Sequence, residues 1–455
     1  MKKIVPFLLL SLISFSFIQA QGLGDYSWLN GNDRRDSSVF KNPYFNPCVF
    51  VDVNYTYSFN HPNDNTVVGS TALARNNELE LSTAAFGGDF NYLGARGRIM
   101  TQFGTRSTIV PRNDLSVFRG QYDMANVYRY LSEAYGGYHF DVMKGINVDF
   151  GMFMSYVGLN SYYQAENWEY QASFTSDNTP WFFNGMRIQI FPNDYLKYEI
   201  WLVNGWQSYG KFNNLPGGGG NITWAPTENF KILSNDYIGT DAAGLPARTR
   251  YHSDNSALLR YYHNKESKGI SQAAFSLTFD IGAESGSGVR PFKTDTIAGY
   301  HLDNTGKYGY EAQNFMSLMF YHRIWFNKNH YAWTIGGGWM NNPGRYLVLA
   351  PPGDASPLPN PNNPTQTMGT HPFTENPGDK FMGWDASTNF DWMPNQSITF
   401  RLELVHRESN VPYFAGMGGV TSPTGYTYTP ISGSNWAPDL VKRETRIIFA
   451  MLFRI

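Results

Sequence analysis

Charge and cysteine are both scarce in this chain of 455 residues, and what is missing excludes several classes of function. The one cysteine, Cys48, has no partner for an internal disulfide. A reactive thiol needs an exposed, electropositive setting, and Cys48 stands instead at the head of an apolar alternation, where it reads as a packed side chain. Charged residues make up only 16 % of the chain and the formal net charge is -2, which offers nothing to nucleic acid or to an anionic surface. Beyond the N-terminus no apolar run reaches the ~18 residues of a helical membrane span. The spacings G-x-S-x-G, H-E-x-x-H, Walker and EF-hand are absent. His139, His322 and His406 stand in strand-like segments with no second ligand at a useful spacing. Catalysis, a metal and a cofactor are therefore not expected. The run Gly217–Gly220 lacks the Lys and Ser/Thr of a phosphate loop and reads as a flexible junction, and Asp303, Asn304 and Gly306 read as a polar turn rather than a calcium loop. No linker or change of composition divides the chain, so one large domain is expected.

Aromatics, by contrast, are abundant at 16 %, with 30 Tyr and 12 Trp, and they sit in segments that alternate with period two. Val49, Val51, Val53, Tyr55, Tyr57 and Phe59 point one way, and Asp52, Asn54, Thr56 and Ser58 the other. Ala273, Phe275, Leu277, Phe279 and Ile281 likewise oppose Gln272, Ser276, Thr278 and Asp280. Met382, Trp384, Phe390 and Trp392 oppose Asp385, Ser387, Asn389 and Asp391. About sixteen such segments are found by their period. Short connections, rich in turn formers, fall at Phe90–Leu93, Val142–Gly145, Pro192–Asp194, Pro226–Glu228, Asn264–Gly269, Asn327–Asn329 and Pro394–Gln396. They alternate with long polar stretches at 60–76, 105–129, 158–180, 207–218, 239–256, 285–311, 342–379 and 408–441. Pro351–Pro364, within one of these, reads as a mobile extracellular loop. This sorting of connections to two rims predicts an all-β fold, a transmembrane antiparallel up-and-down β-barrel of about sixteen strands with short periplasmic turns and long extracellular loops. The final segment, with Ile447, Phe449, Met451, Phe453 and Ile455 on one face, can close the barrel against the first.

Lys2 and Lys3 precede an apolar stretch from Ile4 to Ile18 and then Gln19, Ala20 and Gln21, the pattern of a secretory signal peptide cut near Ala20. The expected organisation is a signal peptide at 1–20, an N-terminal segment at 21–46 that lies either in the periplasm or in the lumen, and an outer-membrane barrel at 47–455.

Leu131–Asn213, with its ENW and TPWF loop signature, and Ala247–Ser285, which runs from ARTRYHSDNS to DIGAES, resemble the OmpL-like β-barrel porin family of double-membrane bacteria. The resemblance extends over most of the mature chain and weakens in loops such as 342–379. It implies an outer-membrane channel without implying what passes.

A barrel of this size leaves an aqueous lumen, so function turns on the inward face. Alternation assigns to it Asp52, Glu78, Glu80, Arg96, Arg98, Glu133, Asp149, Arg187, Lys197, Glu199, Lys231, Arg260, Asp280, Arg323, Asp385, Arg401, Glu403 and Arg446, because Arg or Lys on the lipid face near the midplane would cost on the order of 2 to 4 kcal/mol. Closure would place Arg401, Glu403, Arg446, Asp52, Glu78, Glu80, Arg96 and Arg98 on one wall. The third long loop holds Glu166, Glu169 and Asp177 among Tyr162, Tyr163, Trp168 and Tyr170 and is the candidate constriction loop. Either its acids face the arginines across the lumen, or wall charges pair among themselves and the loop caps the barrel. The expected function is a porin for passive diffusion of small hydrophilic solutes or ions. Two alternatives stand beside it: a saccharide-specific channel, with the loop aromatics as a stacking track, and a loop-plugged structural or receptor barrel. The expected partners are outer-membrane lipid, small hydrophilic solutes and the barrel-assembly machinery acting on the C-terminal strand, with no nucleic acid and with a homotrimer as the candidate assembly.

Overall fold

In the computed structural model the chain is described over residues 25–32, 40, 42–111, 114, 122, 124–242, 244–287, 290–292, 312–344, 346–347, 380–421 and 438–455, together with the short strand segments 295–296, 309–310, 358–360 and 363–368. The expected signal peptide and the turn at Asp303–Gly306 lie outside the described residues.

A single sheet closes on itself as an antiparallel barrel. In chain order its strands are β1 (Phe45–Ser58), β2 (Leu79–Tyr92), β3 (Ala95–Thr101), β4 (Leu131–Phe140), β5 (Ile146–Met154), β6 (Phe182–Asn193), β7 (Leu196–Val203), β8 (Gly217–Thr227), β9 (Phe230–Gly239), β10 (Thr249–His263), β11 (Ile270–Ser285), β12 (Asn314–Phe326), β13 (Tyr331–Asn342), β14 (Phe381–Asn395), β15 (Ile398–Ser409) and β16 (Arg443–Arg454). Each strand pairs with its neighbour in sequence, and β16 returns to β1 with Val51 opposite Phe453 and Tyr55 opposite Phe449. Lipid can satisfy no backbone N–H or C=O, so a sheet that crosses it must have no open edge.

The alternation decides which face is which. In β1 the inward Asp52, Asn54, Thr56 and Ser58 are buried, and the apolar Val49, Val51, Val53, Tyr55 and Tyr57 face out. Cys48 is packed inside at the foot of the same strand. Exposed aromatics gather near the short turns, among them Phe90, Tyr92, Tyr138, Phe140, Tyr195, Tyr261, Tyr262 and Trp392, as an interfacial girdle does.

That girdle also explains where the turns fall. The first turn was expected at Phe90–Leu93, but β2 runs on to Tyr92 and the chain reverses at Leu93 and Gly94, both at positive φ (50° and 83°), the geometry that suits a two-residue hairpin. Phe90 and Tyr92 alternate outward into the interface and so belong to the strand. A larger correction concerns 239–256, read from sequence as loop, where β10 already begins at Thr249. Its early residues carry Ser253 and Asn255 on the outer face, which hides the alternation. Both are satisfied laterally, Asn255 accepting from the Ser234 hydroxyl at 2.7 Å and donating to Ser253 Oγ at 3.0 Å. Gly217–Gly220 is likewise no flexible junction but the first turn-distal part of β8, paired with Val203 to Ile200. A Cβ on Gly219 would stand 2.0 Å from the Tyr156 hydroxyl oxygen, so the glycine lets that ring lie against the sheet. Within Pro351–Pro364 the described residues Leu358–Asn360 pair with Asn363–Met368 as a small hairpin.

Candidate functional site

The barrel interior has two unlike halves. The loop between β5 and β6, residues 155–181, turns inward and packs on the wall of β12 to β16 and β1. Polar wall residues hold its backbone. Glu403 on β15 accepts the amides of Tyr170 and Gln171. Asp385 on β14 accepts the amide of Phe174 at 2.8 Å and the Ser173 hydroxyl at 3.1 Å, and so caps the short helix Phe174–Asn178. Arg407 donates to Asp177 at 2.7 Å and to the carbonyls of Gly69 and Ala172. Asp391 lies between two buried guanidiniums, 2.7 Å from Arg323 and 2.7 Å from Arg401. Arg323 also donates from Nη1 to the carbonyl of Trp168 (3.0 Å) and Arg401 from Nη2 to that of Asn167 (2.9 Å), while Arg323 Nε and Arg401 Nη1 are buried without a hydrogen-bond partner among the described residues. Tyr170 donates its hydroxyl to Asp52 at 2.8 Å and accepts from Asn54 at 3.0 Å.

The loop's own acids and rings are spent in the same packing. Asp177 meets Arg407, Glu169 accepts from Asn160, and Glu166 accepts from the Ser161 hydroxyl. Tyr163 stacks on Phe50 with centroids 4.2 Å apart, Trp168 meets Trp325 edge-on at 5.6 Å, and the Arg106 guanidinium covers Tyr162 at 4.0 Å.

A second piece of chain completes this filling. Residues 25–32 lie between the loop and the wall of β8 to β11. Trp28 donates its indole N–H to the carbonyl of Glu228 at 2.8 Å, and Trp168 donates its indole N–H to the carbonyl of Trp28 at 3.0 Å. The Trp168 amide donates to Asn30 Oδ1 at 2.8 Å. Gly31 has φ +72°, and a Cβ there would stand 1.8 Å from the carbonyl oxygen of Leu159, so only glycine fits. Asp25 closes the segment with an ion pair to Arg260 at 3.0 Å and accepts from Ser27. Burial raises the Asp25 carboxyl, but the Ser27 hydrogen bonds, the charge of Lys265 and the Arg260 contact outweigh it and leave it below its ordinary value.

The opposite wall, β2 to β7, leaves its basic side chains, with Glu133 and Asp89, partly exposed, while Asp149 and Glu199 are buried beneath them. Arg98 pairs with Glu133 at 2.6 Å and Asp89 at 2.9 Å, Arg187 and Arg96 converge on Asp149 at 2.7 and 3.6 Å, and Lys197 meets Glu199 at 2.8 Å. In register Arg96, Gly137, Asp149, Arg187 and Trp201 form one row across β3 to β7. Gly137 has no side chain to separate Arg96 from Asp149, which is how a side chain reaches across two strands.

Of the residues assigned inward from sequence, Arg401, Glu403, Arg446, Asp52, Glu80, Arg96 and Arg98 do share the contiguous wall of β15, β16, β1, β2 and β3. Glu78 does not: it precedes β2 in the first long loop, half-exposed, and pairs with Arg75 at 2.7 Å. Glu80 accepts the amides of Ala74 and Arg75 and so anchors that loop. Arg260 and Lys231 belong to the N-terminal packing, Lys231 standing 3.5 Å from Asn32. Asp280 meets His252 at 3.3 Å and Ser317 at 2.8 Å. Sequence reasoning left out Arg407 and Asp391 as site residues, and Asp25 and Trp28 altogether. The first two carry a legible signal, since Arg407 keeps the parity of Arg401 and Glu403, and Asp391 that of Asp385. Nothing local marks Trp28.

The sequence matches the family described as Putative beta-barrel porin-2, OmpL-like, over residues 48–429. No curated protein matches. Among solved structures the chain is similar to the outer membrane channel DcaP of Acinetobacter baumannii (10 % identity, 90 % of this chain and 97 % of that one covered, TM-score 0.49). It is also similar to the anion-selective porin from Comamonas acidovorans (9 %, 90 % and 99 %, 0.48) and to outer-membrane expressed OmpT of Vibrio cholerae (7 %, 90 % and 97 %, 0.47).

Proposed function

The chain belongs to the family Putative beta-barrel porin-2, OmpL-like, and from that premise we propose that this outer-membrane porin passes small hydrophilic solutes and ions by passive diffusion along one side of its lumen, the wall of β2 to β7. Family and fold are those of a channel rather than an enzyme. The observation that carries the reading is the contrast in exposure between the walls: Arg323, Asp391, Arg401 and Arg407 are sealed under loop and N-terminal segment, whereas Arg96, Arg98, Glu133, Arg187 and Lys197 face lumenal water. A barrel this wide cannot be filled by wall side chains alone, so the chain segments laid into it decide where water remains.

We propose the remaining organisation from the sequence pattern and the family. Outer-membrane lipid meets the apolar outer face. The C-terminal strand β16, whose outward Ile447, Phe449, Met451 and Phe453 close the barrel, is the element the barrel-assembly machinery would engage. A homotrimer is the candidate assembly. Residues 1–20 are proposed as a cleaved signal peptide, 21–46 as an N-terminal segment whose described residues 25–32 enter the lumen, and 47–455 as the barrel.

Reconstitution of the purified protein in a planar bilayer tests the reading. Steady single-channel steps are expected, with a conductance below that of an unobstructed barrel of the same strand number. Electrical silence from well-folded protein would overturn it in favour of a loop-plugged structural or receptor barrel, a second reading that the buried inward loop favours. The saccharide track has no such support, because Tyr162, Tyr163, Trp168 and Tyr170 are all buried in the loop packing.

A further inference from the structure

We infer that the β2 to β7 wall holds a recognition site for small organic carboxylates, centred on Arg96, Arg98 and Arg187; the inference rests on the porin reading above. Formal charges on this wall nearly balance, so counting them gives no preference. Depth does. The side chains of Arg96, Arg98 and Arg187 are 19 %, 16 % and 13 % exposed, while Asp149, which neutralises two of them, is fully buried beneath them. At Arg96 and Arg187 a solute in the lumen therefore meets cations first, whereas Arg98 stands beside Asp89, 34 % exposed, and Glu133, 12 % exposed.

The guanidinium edges are also unspent. Arg98 uses Nε on Glu133 and Nη1 on Asp89, which leaves Nη2. Arg187 uses Nε and Nη2 on Asp149, which leaves Nη1. Arg96 uses Nη1 on Gln189 and leaves Nε and Nη2. None of these remaining nitrogens has a partner among the described residues, and none is a buried orphan like those of Arg106 or Arg446, so they are open to water. Arg96 and Arg187 approach the same Asp149 oxygen, which sets the Nε–Nη2 edge of Arg96 beside Nη1 of Arg187. Paired N–H donors match the two oxygens of a carboxylate. Of the inward loop's acids, Asp177 is buried against Arg407, Glu169 is buried and accepts from Asn160, and the half-buried Glu166 accepts from the Ser161 hydroxyl. In place of the transverse field that an acidic constriction loop would create, Arg96 and Arg187 form a cationic patch on one wall.

The test uses the full-length protein in a planar bilayer under a potassium chloride gradient, followed by addition of succinate. The zero-current potential is expected to report chloride permeating several-fold better than potassium, and succinate is expected to depress the chloride current in a saturable manner. In the Arg96→Gln/Arg187→Gln double variant both effects should fall severalfold. Arg98→Lys, which keeps the charge and loses the remaining Nη2 donor, should keep the chloride preference and weaken the succinate block. A cation-selective current, or succinate block unchanged in both variants, overturns this inference while the porin reading stands. Silence of the wild-type protein overturns both.

Discussion

The two halves of the lumen contain the same chemistry, Arg against Asp or Glu, and differ in what covers it. On the wall of β12 to β16 the pairs of Asp391 with Arg323 and Arg401, and of Arg407 with Asp177, are closed over by loop backbone, so these charges hold the loop and the loss of one leaves a partner stranded out of water. On the wall of β2 to β7 no loop backbone covers the pairs, and their basic members reach water in part, which leaves unspent N–H groups to a solute. Charge pattern alone therefore does not say whether a residue builds a barrel or filters through it; the segment lying over it does.

The sharpest way to break this comparison is Asp391→Ala, which leaves Arg323 and Arg401 buried and unpaired. A loss of about 3–5 kcal/mol is expected, the cost of stranding a buried charge, read as the shift in a urea unfolding transition in detergent or lipid. A loss under about 1 kcal/mol, the scale of water-exposed pairs, would show that the half is wetter than described. Next in size is Trp28→Ala, which removes a buried ring and the carbonyl's setting that receives Trp168. It should cost about 3–5 kcal/mol at most, as large aromatic truncations do, and raise single-channel conductance by opening the filled half. Unchanged conductance would mean that the segment is not what blocks that side.

Acid offers a milder probe of the same contact. Because the Asp25 carboxyl titrates below its ordinary value in the folded chain, its contribution is complete above the usual aspartate value of about 3.9 and is lost only as pH falls through the lower folded value. Conductance should stay flat from neutral pH down to about pH 4 and then climb toward the Trp28→Ala level. A rise that begins near pH 6 would implicate a different group. Smallest of all is Glu133→Gln on the wet wall, expected to change stability by less than about 1 kcal/mol while it frees Arg98 and moves the zero-current potential further toward chloride.

Much of the barrel was legible because lipid imposes a rule on every strand separately. Val49 to Tyr57, or Met382 to Trp392, announce their two faces without reference to the rest of the chain. The rule failed where the outer face is polar, as at Ser253 and Asn255, and where girdle aromatics such as Tyr92 carry a strand past the residues that look like a turn. Parity also found most inward charges. It could not separate the dry half from the wet one, because that depends on contacts such as Arg407 with Asp177, 230 positions apart, and Trp168 with Trp28, 140 apart. No local pattern encodes them, and the same applies to Glu78, whose correct parity is overridden by the loop it sits in.

The seam between β1 and β16 bears on the order in which the molecule can form. Ser58 and Glu444, 386 positions apart, hydrogen bond across it, so the first strand to emerge from synthesis waits for the last before its free edge is covered. Contacts of such separation make folding slow, and an uncovered strand edge invites pairing with other chains meanwhile. The inward loop draws its partners from both sides of that seam, Asp52 on β1 and Glu403 on β15 among them, and residues 25–32 pack on the loop in turn. Their packing therefore matures only after closure, which makes the filling of the lumen the final event of assembly and the barrel a wider, emptier vessel until then.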